Sequence, residues 1–178
     1  SISVGVETGA EANVSAEAMA RAAGIRGGKG NDSIRNEGTL TVEASAIAGA
    51  GSIAVGVADS DGQENPADAP PAPSASETSP VKADASAKAI ASALGIGGGP
   101  GDDTIVNIAP VTVKASSTVG AGSISVGVGT GAEADVSAES IARAAGIRGG
   151  EGSDAIRNEG TLTVEAASIA GAGSIGVG

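Results

Sequence analysis

Hydrophobic and polar positions alternate along most of the chain. Ala12, Val14, Ala16, Ala18, Ala20 and Ala22 take every second position, with Glu11, Asn13, Ser15, Glu17, Met19 and Arg21 between them. Leu40, Val42, Ala44, Ala46, Ala48 and Ala50 repeat the rule. A period of two predicts strands with one buried face, because successive side chains of a strand point to opposite sides. At Gly24 and Gly51 the phase is expected to change and the chain to turn a corner, after which Ile53, Val55 and Val57 line a further strand. Residues 15–23 (SAEAMARAA) argue the other way. They have high helix propensity, and Glu17 and Arg21 are spaced as a helical pair. Their counterpart VEASAIAGAG, with two glycines, suits a helix poorly, so strand is the expectation for both.

The pattern repeats on a longer scale. Residues 1–51 and 123–173 are near-identical, residues 52–122 are a longer and more divergent copy, and residues 174–178 begin another. The extra length of the middle copy lies in 59–80, a Pro-rich stretch that reads as a projecting loop. Within a copy, a shift of about 28 residues places Val14 on Val42, Ala16 on Ala44 and Ile25 on Ile53. Stacking by that rule gives columns such as Ile25, Ile53, Ile96, Ile124, Ile147 and Ile175. The expected fold is all-β: one continuous parallel β-solenoid over 1–178, about six coils alternating between about 28 and about 23 residues, with a thin Ala/Val/Ile core. At about 4.8 Å per coil the rod would be about 30 Å long. Alanine-lined walls imply close sheets, so Ala16→Leu or Ala138→Leu should be damaging.

Composition narrows the chemistry. The 178 residues include 30 Gly and no His, Cys, Phe, Tyr or Trp. Thiol chemistry, His-dependent triads, disulfides and the usual zinc, haem and iron–sulfur ligands are therefore missing from the chain. A net charge of −11 with no aromatic residue is poorly suited to nucleic acid. The longest uncharged stretch is too rich in Gly, Ser and Thr for a membrane span. No enzyme is expected.

Residues 27–35 (GGKGNDSIR), 98–106 (GGPGDDTIV) and 149–157 (GGEGSDAIR) all fit G-G-x-G-x-D-x-U-x, with U aliphatic. They resemble the calcium-binding nonapeptide of repeats-in-toxin (RTX-type) proteins. That resemblance implies calcium held between stacked turns by Asp32, Asp103 and Asp154, with the loop backbone of Gly28, Gly30, Gly99, Gly101, Gly150 and Gly152. No other cofactor is implied. On the six-coil reading the motif falls on every second coil, and the intervening loops supply Glu7, or Asp59, Asp61 and Glu64. The alternative is that glycine makes a tight corner braced by the Asp. The same spacing makes Asn36, Asn107 and Asn158 a corner device rather than a continuous ladder. Arg26, Arg35, Arg148 and Arg157 read as surface pairs.

The functional expectation follows from shape. It is a non-enzymatic structural protein: a segment of an extracellular fibre, filament or surface stalk built by end-to-end stacking of coils. Residue 1 falling inside a repeat suggests a piece of something longer. The expected partner is the protein itself, by head-to-tail or lateral assembly or by covalent continuation, with the insertion touching neighbouring rods. The alternative is a calcium-stiffened RTX-like adhesin or autotransporter-passenger stalk, resembling repeat-rich bacterial surface proteins. A minor alternative is an ice-binding solenoid, for which Thr39, Thr41, Thr161 and Thr163 offer pairs only on alternate coils.

Overall fold

The computed structural model describes residues 2–6, 10–57 and 80–178. The strands are β1 (Ile2–Val6), β2 (Glu11–Arg26), β3 (Ser33–Asn36), β4 (Leu40–Val57), β5 (Val81–Pro100), β6 (Thr104–Asn107), β7 (Val111–Val128), β8 (Ala132–Glu151), β9 (Ala155–Asn158) and β10 (Leu162–Val177). They form a front sheet in the order β1-β4-β7-β10, a back sheet β2-β5-β8 and a narrow sheet β3-β6-β9. Every pairing is parallel. A coil runs through the back, narrow and front sheets in turn, the architecture of a parallel β-solenoid. Residues 15–23 lie within β2, so ladder bonds and a shared inner face override local helix propensity.

The pairing register corrects the coil length. Glu11 pairs with Lys82 and Lys82 with Glu133, while Leu40 pairs with Val111 and Val111 with Leu162. Successive coils are separated by 71 residues across the insertion and by 51 after it. Segments 28 residues apart do not stack; they face each other across the core. Ser117 Oγ in β7 donates to the Ala89 carbonyl in β5 at 2.8 Å, 28 residues away. Ser140 Oγ in β8 donates to the Ser117 carbonyl at 2.9 Å, 23 residues away. The 28/23 alternation is thus the likeness of two opposed walls lining one core. The back and narrow sheets are three strands deep, about 15 Å along the axis rather than about 30 Å.

The core is thin for the reason alanine suggests. A serine hydroxyl on one wall reaches the main chain of the other, so the walls lie far closer than the usual ~10 Å between packed sheets. Ala83, Ala89 and Ala91 are fully buried between them, and Ile96, Ile105, Val111 and Val113 fill the wider end beside the narrow sheet. The corner at Gly24 has counterparts at Gly95 and Gly146. A Cβ on Gly95 would collide with the Gly146 carbonyl and approach the Val113 and Val111 methyls to 2.9 and 3.0 Å. There the phase changes as expected, since Ala93 and Ile96 both face inward.

At Gly51 it does not. In β4 Ala48, Ser52 and Ala54 are buried, and Ile53 and Val57 face solvent. The strand runs straight through Gly49 and Gly51, and the expected isoleucine column splits. Ile25, Ile96 and Ile147 stack in the back sheet, whereas Ile53, Ile124 and Ile175 stack on the outside of the front sheet. The Pro-rich stretch at 59–79, with Asp59, Asp61 and Glu64, lies outside the described residues, as does Glu7.

Candidate functional site

The glycine loops join the back sheet to the narrow sheet at one edge of the stack. Because a coil is one whole copy, the three loops sit directly above one another, not on every second coil. Gly28 and Gly30 have φ of +119° and +106°, Gly99 and Gly101 +128° and +133°, and Gly150 and Gly152 +134° and +120°. Only glycine adopts that region cheaply. A Cβ on Gly99 or Gly150 would also strike the carbonyl of the glycine one coil below. Interloop main-chain bonds close the stack, with Gly28 N–H donating to the Gly98 carbonyl and Gly30 N–H to that of Pro100, both at 2.9 Å.

Asp32, Asp103 and Asp154 form one column in these loops. The Asp32 N–H donates to Asp103 Oδ1 at 2.8 Å, and the Asp103 N–H to Asp154 Oδ1 at 2.9 Å. Beside it, Asn31 Oδ1 accepts the Asp102 N–H at 2.9 Å and Asp102 Oδ1 the Ser153 N–H at 2.8 Å. The side chains of Asp103, Asp154, Asn31 and Asp102 each satisfy a loop amide of the neighbouring coil that the strands leave unpaired. Asp103 is 1% exposed. The Oδ2 atoms of Asp32 and Asp103 are buried without a hydrogen-bond partner. They press against Gly27 and Gly98, where a Cβ would run into them. Among the described residues, no group of three or more acidic side chains gathers in a metal-holding cluster.

At the far end of the narrow sheet, Asn36, Asn107 and Asn158 form an unbroken ladder, which corrects the alternate-coil reading. Asn36 Nδ2 donates to Asn107 Oδ1 at 2.7 Å, and Asn107 Nδ2 donates to Asn158 Oδ1 at 2.6 Å and to the Ala109 carbonyl at 2.9 Å. Asn107 is completely buried and Asn36 nearly so, whereas Asn158 on the last coil is exposed. Arg35 pairs with Glu37 at 2.5 Å, and Arg157 pairs with Glu159. Thr41, Thr112 and Thr163 also form a column on every coil, but its outward neighbour is the charged column Glu43–Lys114–Glu165, and Pro110 interrupts the Thr39–Thr161 line. A flat threonine array, which ice binding needs, is not assembled there.

The charged columns went unread in the sequence. The middle coil places Lys82 between Glu11 and Glu133, Lys88 between Glu17 and Glu139, and Lys114 between Glu43 and Glu165. Each lysine pairs with a glutamate, at 3.1, 2.7 and 3.4 Å respectively. Hydrogen bonding to Glu133 and its charge hold the Lys82 ammonium above its ordinary 10.5, and Glu139 does the same for Lys88. Arg21 and Arg143 are separated by Ser92, and Arg26 and Arg148 by Gly97. The signal was available in the sequence, but only at the 51/71 register. Comparison with protein-family models, with curated proteins and with solved structures finds no match to this chain.

Proposed function

We propose that this chain is a structural segment of an extracellular fibre or surface stalk, without enzymatic activity of its own. One observation carries the reading: among the described residues, the loop aspartates and the narrow-sheet asparagines bind the neighbouring coil, and each of these ladders repeats through the stack. A rod whose side chains bind its own next coil is built for length. Antibody raised against this chain tests the reading in the source cells. Gold label on filaments outside the cell is the expected result, and label confined to the cytoplasm overturns it.

The charge columns favour one mode of growth. A glutamate-bearing coil set on another of its kind would oppose Glu133 to Glu11, Glu139 to Glu17, Glu165 to Glu43 and Arg143 to Arg21. Like charges one strand apart repel; the chain's own strands place Asp84 beside Asp135, but four such pairs at a single junction make alternating coil types within a continuous chain fit better than head-to-tail docking of identical chains. Lys82→Glu, Lys88→Glu and Lys114→Glu together should lower the Tm at low salt, and the loss should shrink at high salt, where exposed charges are screened. The wild-type contribution has a definite pH sign. With the folded-state ammonium groups of Lys82 and Lys88 held above 10.5, their part of it is complete below that pH and fades as pH rises through the folded value. Equal melting of the wild type and the triple variant at low salt would remove this account of stacking order.

A calcium-stiffened stalk is the second reading. It is favoured by the direct stacking of the three aspartate loops and by the unpartnered Oδ2 atoms of Asp32 and Asp103. On this reading, added calcium raises the melting midpoint and a chelator lowers it. A midpoint indifferent to both leaves the aspartates as braces of the turn.

A further inference from the structure

The outer side of the front sheet is apolar, and no described residue covers it. From Ser45 to Val57 in β4, and over the matching lengths of β7 and β10, no outward position is charged. Two glycine columns run up its middle, Gly49–Gly120–Gly171 and Gly51–Gly122–Gly173. Internal packing does not ask for them. None has a positive φ. A Cβ built on any of the six would come no nearer than 3.7 Å to another described part of the chain. Glycine inside a strand weakens it, and one reason for its presence is close approach by something else. Among the described residues nothing makes that approach.

Beside the glycine groove stands a ridge. Ile53, Ile124 and Ile175 project next to Gly51, Gly122 and Gly173, and Ile175 is 56% exposed. Ridge and groove are adjacent, parallel and of equal length, so the face is complementary to itself. We propose that it pairs with the same face of a second copy, the two rods running parallel about a two-fold axis along the rod. With that axis between the glycine and isoleucine columns, each Ile53 column lies in the partner copy's groove, and the valine column at position 55 meets the outer glycine column. Turning one rod end for end sets isoleucine against isoleucine and leaves the grooves empty. The stretch from position 47 to 57 over three to four strands covers about 600–700 Å² per copy, near what a specific dimer buries. The first charged column, Glu43–Lys114–Glu165, falls outside the overlap.

This pairing is independent of how the rod grows: a missing dimer leaves the fibre reading intact, and missing filaments leave the dimer intact. Sedimentation of the 178-residue chain across micromolar to millimolar concentration tests it. A concentration-dependent dimer is expected. Gly120→Val with Gly122→Val should keep the Tm or raise it, since valine favours strand, while weakening the dimer at least about tenfold. Chains carrying Ile124→Cys should cross-link with chains carrying Gly122→Cys faster than with their own kind. A wild type that stays monomeric at millimolar concentration, a valine variant that dimerises equally well, preferential self-cross-linking of Ile124→Cys, or binding to phosphatidylcholine vesicles in place of dimerisation would each overturn the proposal.

Discussion

Replacing Ala89 by leucine should lower stability by about 3 kcal/mol or more, whereas Ser86→Leu on the same strand should change it by less than about 0.5 kcal/mol. Ala89 is 0% exposed, at the centre of the back sheet, and its carbonyl accepts the Ser117 hydroxyl from the opposite wall. Three added carbons have nowhere to go unless the walls separate. Separation would break that bond and loosen the Ala and Val columns above and below. Ser86 points to solvent and has no opposing wall. For a chain of this size the difference corresponds to a fall of about 6–12 °C in Tm. Equal melting of the two variants would show that the walls are not held at alanine distance.

The same closeness explains which parts of the fold were legible in the sequence. Period-two alternation gave the strands, their inner faces and the corner at Gly24, because burial on one side leaves a local imprint. It could not tell stacking from opposition. Two walls so near each other both demand alanine, so Ala16 and Ala44 look alike whether one lies above the other or across from it. The residues that separate the two cases are polar. Lys82 between Glu11 and Glu133 makes sense only at the 51/71 register, as does the Asn36–Asn107–Asn158 ladder. The glycine loops were found by their motif, yet their direct stacking follows only from that register. At Gly51 the error had a different origin. A glycine in an alternating run reads as a corner, but a Cβ there would come no nearer than 4.0 Å to a described atom, and the strand continues with Ile53 facing out.

Substituting Asn107 should cost as much as overpacking the core, and the choice of replacement separates ladder from filler. Its Oδ1 accepts from Asn36, and the two hydrogens of its Nδ2 go to Asn158 and the Ala109 carbonyl, all in a site with no solvent exposure. Asn107→Ala removes three bonds and strands two buried partners, Asn36 Nδ2 and the Ala109 carbonyl, a loss of about 2–6 kcal/mol, since each orphaned buried group costs about 1–3 kcal/mol, while the exposed Asn158 can turn to water. Asn107→Asp keeps the shape but loses the donors, so at neutral pH it sets a buried carboxylate against the Asn158 and Ala109 oxygens. Burial and those acceptors raise the folded-state pKa of the new carboxyl above its unfolded value. The variant's stability is therefore greatest at low pH and falls as pH rises through that raised pKa. Measured by chemical denaturation, Asn107→Asp should be less stable than Asn107→Ala at pH 7 and should recover against it in acid, where a protonated carboxyl can donate again. If aspartate and alanine cost the same at every pH, position 107 needs only volume, and the amide ladder does not hold the narrow sheet together.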